Sequence, residues 1–248
     1  MTKISVITPT FNAEQTIEKT IKSVLNQDYD IFEYLIIDSN SNDRTVDIAK
    51  NFSYPITIIS EKDKGIFDAM NKGIKCASGD LIFIINAGDY YEENIFSELI
   101  NIYKTYNPDL IAASCKMIDA CIETKWTRSE NPLNEFNPAI KHPSIFVKKK
   151  VYKEIGQFNL DFPISADYEF IVRAMSKNKK IYSTNLVTTN ILLEGNSFNL
   201  KNHFSKNLEH LKIINRTDFI FLKKILFFLK VFNKTLIGFL SLMKRKFR

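Results

Sequence analysis

Four short apolar runs in this 248-residue chain end in polar residues that can hold a charged ligand. Ser5–Thr8 leads into Pro9-Thr10-Phe11-Asn12, Tyr34–Ile37 into Asp38, Thr57–Ser60 into Glu61-Lys62-Asp63, and Leu81–Ile85 into Asn86-Ala87-Gly88-Asp89. In an open parallel sheet, ligands bind in the crevice beyond the carboxyl ends of the strands, so the four clusters are expected to meet at one site. That site is acidic and rich in amides. A phosphate-bearing ligand enters an acidic crevice only where like-charge repulsion is offset, and a divalent cation bridging carboxylate and diphosphate does this. The residue types therefore point to a nucleotide-diphosphate site using Mg2+ or Mn2+. Polar residues also follow strands because loops are polar, and a single cluster would be explained as well that way; four in register are harder to dismiss.

Bringing the clusters together requires strands alternating with helices. Residues 3–8 read as a buried strand, and Ala13–Gln27 as a helix with Ile17, Ile21, Val24 and Leu25 on one face. Tyr34–Ile37 is the second strand, followed by a helix that Asn42 or Asp43 can cap and that runs through Ala49. A third strand at Ile56–Ile59, a helix at Ile66–Cys76 and a fourth strand at Leu81–Ile85 complete an alternation that predicts a parallel sheet with covered faces. After Asp89 the rhythm loosens. The sequence predicts a helix over Glu93–Tyr106, strands at Leu110–Ser114 and Ser144–Val147, irregular chain over Trp126–Lys141, a helix at Lys149–Ile155, and another opening at Ala166-Asp167-Tyr168-Glu169. The regular half reads as the nucleotide half and the mixed half as the receiver of the second substrate.

At 248 residues and 45% hydrophobic content the chain can bury the core of one large domain with an appendage. Cys76, Cys115 and Cys121 form no C-x-x-C pair, which argues against zinc and a disulfide framework and favours a reducing cytosol. The N-terminus enters the first strand without a charged region followed by an apolar one, so no secretory or transit peptide is expected. From residue 199 onward twelve Lys or Arg stand against Glu209 and Asp218, a charge of +10, which leaves −4 on the preceding 198 residues of a chain whose total is +6. The acidic body argues against nucleic acid as a partner. Neither a dinucleotide fingerprint nor a P-loop is present, and with seven glycines in all, metal and side chains must carry the phosphate contacts.

The segments SVITPTFNAEQTIEKTIKSVLNQ, YLIIDSNSNDRTVDIA, SEKDKGIFDAMNKGI and ASGDLIFIINAGD resemble the inverting nucleotide-sugar glycosyltransferases of family 2, and within it the bacterial enzymes that build O-antigen, capsule and exopolysaccharide. The resemblance spans roughly residues 3–175. It implies the α/β GT-A fold, with a Rossmann-like nucleotide-binding half and a mixed sheet covered by helices on both faces. It also implies that Thr8, Pro9, Thr10, Asn12 and Glu14 border the nucleotide, that Asp38 contacts its base or ribose, and that Asp63, Gly65, Asp68 and Asn71 line the floor near ribose and sugar. Ser39 stands where the family usually has a second Asp. The family's D-x-D element falls on Asn86-Ala87-Gly88-Asp89, which places Asn86 and Gly88 at the nucleotide and makes Asp89 the metal ligand. One protein carboxylate suffices, because Mg2+ fills its sphere with phosphate oxygens and water.

The same resemblance puts Asp167, in GQFNLDFPISADYEFIVRA, at the position of the general base that deprotonates the acceptor. A helix start keeps a carboxylate ionised, and it equally suits a capping Asp. His142 can touch metal, diphosphate or acceptor, or be a structural hydrogen-bonded His. Trp126 can stack on a sugar or anchor packing, and Arg173 can meet a phosphate or pair with Glu169 four residues earlier. In the tail, Phe221, Ile225, Phe228, Phe232, Leu236, Phe239 and Met243 oppose a stripe containing Lys223, Lys230, Lys234, Arg245 and Arg248. That is the pattern of an amphipathic helix lying in a membrane interface, too interrupted by lysines to span.

The expected organisation is therefore a GT-A glycosyltransferase domain at 1–198 and a basic, helical, membrane-associating tail at 199–248, on the cytoplasmic face of the inner membrane. The implied reaction moves a hexose from a nucleotide-diphosphate sugar, UDP-linked, to a hydroxyl of a polyprenyl-diphosphate-linked saccharide with inversion. A nucleotide-sugar sensor or scaffold that has lost catalysis is the alternative suggested by Ser39 and the thinned D-x-D. A nucleotidyltransferase would bring a glycine-rich phosphate loop that TPTFNAEQ does not supply.

Overall fold

The first strand, β1 (Ile4–Thr10), is buried along its whole length, as a strand covered on both faces must be. In the computed structural model, which describes residues 2–119, 125–128, 141–193 and 200–216, β1 is followed by α1 (Ile17–Leu25), β2 (Glu33–Asp38), α2 (Thr45–Lys50), β3 (Ile56–Ser60), α3 (Ile66–Cys76) and β4 (Leu81–Ile84). The four strands pair in parallel in the order β3-β2-β1-β4, so their carboxyl ends share one edge. α1 buries Ile17, Thr20, Ile21 and Val24, the face its apolar spacing predicts.

α3 lies close against the sheet because of Gly73. A Cβ at that position would overlap the Ile7 side chain and stand 3.2 Å from Ile37 Cγ1, and both isoleucines are fully buried. Gly73→Ala is expected to lower stability by about 2 kcal/mol, since overpacking outweighs the helix-propensity gain of Ala. Urea unfolding would show a lower midpoint at unchanged slope; an unchanged or raised midpoint would mean that α3 can draw back freely.

The second half comprises β5 (Tyr90–Tyr91), α4 (Phe96–Tyr106), β6 (Leu110–Asp119), β7 (Lys125–Arg128), a 3-10 turn at His142–Ser144, β8 (Ile145–Lys148), α5 (Lys149–Ile155), α6 (Ala166–Ser176), β9 (Ile181–Leu193) and α7 (Leu200–Asn215). β8 lies antiparallel between β4 and β6, β6 runs parallel to β9, and β5 is antiparallel to β9. With β7 paired to β6, the result is one mixed nine-stranded sheet. Helices cover both faces. α1 and α4 contribute Ile21, Phe96 and Leu99 to one apolar layer, and α3, α6 and α7 contribute Met70, Ile171 and Ile213 to the other.

The second half departs from the sequence reading in its strands. β6 runs to Asp119 rather than Ser114, β7 forms within the stretch expected to be irregular, and β5 and β9 have no counterpart in the sequence reading. β9, at 13 residues the longest strand, lacks the apolar alternation that announces a strand. Its polar centre is nonetheless satisfied inside: the buried Thr188 and Thr189 hydroxyls donate to the carbonyls of Ser114 and Pro143. α7 begins beyond residue 198 and packs on α6, with Ile213 and Ile214 buried. The Trp126 side chain, Cys121 and residues 217–248, which carry the expected membrane helix, lie outside the described residues. Among the described residues no helix is long and apolar enough to cross a membrane.

Candidate active site

Two chambers open at the carboxyl edge of the parallel strands. The first, of about 470 Å³, is formed by Pro9, Thr10 and Phe11 at the end of β1, Ser39 after β2, and Asp63 and Gly65 after β3. The second, of about 430 Å³, is formed by Gly88 and Asp89 after β4, Lys141 and His142 before β8, Asp167 at the start of α6, and Lys206 on α7. Ile66, Asn86 and Ala87 line both, so one extended ligand can reach from the first chamber into the second.

The loops of the first chamber are held by side chains expected at the nucleotide. Asp38 is fully buried; its carboxylate accepts the Ser41 N–H at 3.0 Å and the hydroxyls of Ser41 and Ser60. Asn12, at φ 47°, accepts the Asn42 N–H at 3.0 Å and donates its own N–H to Ser41 Oγ at 2.8 Å. Glu14 accepts the Arg44 N–H at 3.1 Å, and the buried Thr8 hydroxyl meets that of Tyr34 at 3.0 Å. These four form the frame behind the chamber, while Pro9 and Thr10 line it. Asp63 lines it too and accepts the Gly65 N–H at 2.8 Å. Asp68 accepts the Lys64 N–H at 3.0 Å. Asn71 clamps Phe158, donating to its carbonyl at 2.9 Å and accepting its N–H at 3.0 Å. Neither Asp68 nor Asn71 lines a chamber.

In the second chamber one contact leads to the next. Asp89, 5% exposed, accepts the Leu192 N–H at 3.1 Å through Oδ1 and the Asn86 Nδ2 amide at 3.1 Å through Oδ2. An ionised carboxylate only accepts, so the Asn86 amide nitrogen must face Asp89 and its oxygen must face His142 Nε2, 3.0 Å away. His142 Nε2 therefore carries a proton, and Nδ1 lies 3.9 Å from Asp167 Oδ2. Asp167 Oδ1 accepts the Tyr168 N–H at 2.8 Å. Gly88, at φ 106°, lets the turn reach back to Thr20, whose hydroxyl accepts its N–H at 3.0 Å.

The two acids differ in electrostatics. Burial pushes the Asp89 carboxyl up to about 6, against the opposing pull of the His142 charge, the Leu192 and Asn86 hydrogen bonds and the Lys141 charge. Burial also acts to raise Asp167, but His142, Lys141 and Lys206 outweigh it and hold that carboxyl below the ordinary value. The raised Asp89 means that the folded chain keeps a proton which the unfolded chain has released. Stability should therefore fall as pH rises from about 4 to about 6. Compared with Asp89→Asn, the wild-type protein in EDTA is expected to lose about 2 kcal/mol between pH 4 and pH 7. Urea unfolding at both pH values checks this; a difference between the two proteins that stays constant with pH would refute it.

Such a carboxylate suits a divalent ion, whose charge replaces the solvation that burial removed. Among the described residues no group of three His, Cys, Asp or Glu side chains could hold an ion alone. The donor set fits an ion held by Asp89 and completed by the diphosphate oxygens of a ligand, not one held by protein alone.

Arg173 takes the structural course. It pairs with Glu169 at 2.8 Å and donates to the carbonyls of Gly156 and Gln157 at 3.0 and 2.7 Å. Lys141, Lys206 and the Leu192 amide are site groups that the sequence reading does not single out. The available signal was charge: an anionic ligand in an acidic crevice calls for cations, yet Lys206 is counted there with the tail.

Residues 5–172 match the family described as Glycosyl transferase family 2. A PGL/p-HBAD biosynthesis glycosyltransferase of Mycobacterium tuberculosis is 28% identical over 180 residues, covering 69% of each chain. Among solved structures, S. aureus TarS 1-349 in complex with UDP-GlcNAc superposes with a TM-score of 0.71 at 17% identity, over 96% of this chain and 73% of that one. The chain spans 43% of the longer TarS structure. The mannosyltransferase PcManGT from Pyrobaculum calidifontis, in complex with GDP-Man and Mn2+, superposes with a TM-score of 0.68 at 14% identity, over 96% and 68% of the two chains. At these identities the structural likeness shows the fold alone.

Proposed function

The chain belongs to glycosyl transferase family 2 and has the GT-A fold, and from that premise we propose that it moves a hexose from a UDP-linked donor, with inversion, to a hydroxyl of a polyprenyl-diphosphate-linked saccharide of a surface polysaccharide. The observation that carries this reading is the run of contacts from Asp89 through Asn86 and His142 to Asp167, which joins a candidate metal ligand to a candidate base in the second chamber through Asn86, a residue that lines both. The nucleotide occupies the first chamber against Pro9, Thr10 and Ser39. Its diphosphate passes Asn86 and Ala87 to reach Asp89, and the hexose enters the second chamber. Asp89 would hold Mg2+ or Mn2+, which would supply positive charge for the departing diphosphate.

Asp167 performs the proton transfer. Its depressed carboxyl is ionised at neutral pH, and Nε2–H of His142, fixed by Asn86, orients the ring that faces it. As the acceptor oxygen bonds to the anomeric carbon, its proton passes to Asp167, and the electron pair of the breaking carbon–oxygen bond leaves with UDP. The basic, aromatic pattern of residues 221–248 supports peripheral attachment to the cytoplasmic face of the inner membrane.

Nucleotide release from a panel of UDP-, GDP- and dTDP-sugars, in Mn2+ or in EDTA, tests this function. The expected result is metal-dependent UDP release from one donor, stimulated by a lipid-linked saccharide. Tight nucleotide binding with no release from any donor, with or without acceptor, would instead identify a sensor.

A further inference from the structure

At the edge of the sheet opposite the two chambers, a further cavity of about 370 Å³ opens where the start of β4 meets the end of β8, with Leu81 paired to Lys148. Lys148, Lys149, Lys150 and Lys153 line it, and Asp80 is the one carboxylate among the described lining residues. Asp80 Oδ2 accepts the Lys3 N–H at 2.9 Å. The cavity thus sets four cations against one carboxylate, on a body whose residues 1–198 carry −4 in all.

These lysines are more than a solvated face. Lys148 is 7% exposed, and two of its three ammonium hydrogens go to Asn107, to Oδ1 at 2.6 Å and to the carbonyl at 3.3 Å. Asp109 lies 4.0 Å away, out of hydrogen-bond reach, which leaves the third N–H without an oxygen acceptor. The Tyr103 ring, its centroid 5.2 Å from the ammonium, forms the wall beside it. Burial holds this ammonium below its ordinary value, and Lys150 and Lys180 push the same way against the pull of Asp109. Lys150 pairs with Asp109 at 3.6 Å. Lys149 and Lys153 stand one turn apart on α5, where like charges repel, and among the described residues neither has a carboxylate partner. Glu154, the acid of the same helix, pairs with Lys179 instead.

An occupant must be anionic, and its kind can be narrowed. Residues 217–248 carry eight Lys or Arg against Asp218, so the chain's own tail is repelled. A lipid-linked acceptor reaches the chambers at the carboxyl ends of β1 to β4, so a membrane that serves them lies on the far side of the sheet; this step alone uses the transfer reading. The volume is that of a small-ligand pocket, and its walls stand on paired strands, which hold a site more closely than loops do. A single phosphate group brings about −2 at neutral pH, less than the surplus of three lysines.

We propose that this cavity binds a soluble anion bearing two or more phosphates, held by Lys148, Lys149 and Lys153 and separate from the sugar donor. Inorganic diphosphate and the diphosphate of a nucleotide share this chemistry.

Calorimetry on the full chain in metal-free buffer tests the proposal with orthophosphate, inorganic diphosphate and ADP. Inorganic diphosphate is expected to bind about tenfold tighter than orthophosphate and to lose about tenfold in the double variant Lys149→Gln/Lys153→Gln, the scale of a charge-assisted hydrogen bond. Lys149→Arg/Lys153→Arg should keep the binding. Lys153→Gln alone, at an exposed position, should cost about threefold with thermal unfolding unchanged, which keeps the test open should the double variant unfold. ADP binding tighter than inorganic diphosphate assigns the anion to a nucleotide, and ADP binding equally or more weakly assigns it to inorganic diphosphate. No binding of any probe, equal affinity for one phosphate and two, or affinity that survives both glutamine variants overturns the proposal. So does a loss of Mn2+-dependent UDP affinity in the glutamine pair, which would give the lysines to the donor. Binding to phosphatidylglycerol vesicles should be unchanged in that pair; its loss would give the lysines to a membrane and overturn the proposal as well.

Discussion

Asp167→Asn is expected to lower the rate of sugar transfer about a thousandfold while UDP affinity stays within about twofold of wild type. Asn keeps the shape of the side chain and the oxygen that accepts the Tyr168 N–H at 2.8 Å, but removes the proton acceptor. The substitution also separates two roles that the start of α6 leaves open. Asp167 is the second residue of α6, behind the N-cap Ser165, so an Asp167 that only serves the helix start would lose about 0.3–1 kcal/mol of stability and keep its activity. A base would lose the activity. Steady-state transfer with saturating donor, together with thermal unfolding of the same sample, gives the answer; activity within about tenfold of wild type would remove Asp167 from the chemistry.

Asp89→Ala is expected to weaken UDP binding in Mn2+ about a hundredfold and to make binding indifferent to EDTA. The side chain also holds the Leu192 N–H and the Asn86 amide, so the loss must be separated from a local rearrangement. Binding in EDTA provides that control, because a variant that lost only its metal should match wild type there. The pH dependence has a definite sign. With burial raising the Asp89 carboxyl to about 6, protons compete with metal below that value, and Mn2+-dependent UDP affinity should fall about fivefold as pH drops from 6 to 5. Metal dependence that survives Asp89→Ala, or affinity that is flat across this range, would place the ion elsewhere.

The parallel half could be read from the sequence because its elements are periodic and its ligand-facing residues follow strands directly. Alternation of β1 to β4 with α1 to α3 determined which ends of the strands meet, and with them the neighbourhood of Pro9, Ser39, Asp63 and Asn86. Which polar side chains face a ligand was not legible. Asp38, Asn12 and Glu14 read as ligand contacts in sequence, and in space each also accepts a loop amide, a use that polar side chains at strand ends serve equally. β9 was hidden by its buried threonines. Lys206 was hidden for another reason: it joins the chamber through the packing of α7 on α6, and nothing in the local pattern of residues 200–216 indicates which face meets Asp167. Asn86 shows the opposite case, a residue that reads as a lost acid in sequence and holds two partners at once in space.

The burial of Ile213 and Ile214 in the apolar layer that also holds Ile7, Leu35 and Ile37 bears on how the chain reaches its native state. That layer joins the earliest strands to the last described helix, and α7 enters it by packing on α6. The parallel half, with α3 against Ile7 and Ile37, can assemble during synthesis, while α6 keeps an uncovered face until α7 arrives. Docking of α7 on α6 brings Lys206 to the chamber in the same event, so a partly folded chain would lack the second chamber's complete wall however native its first chamber had become.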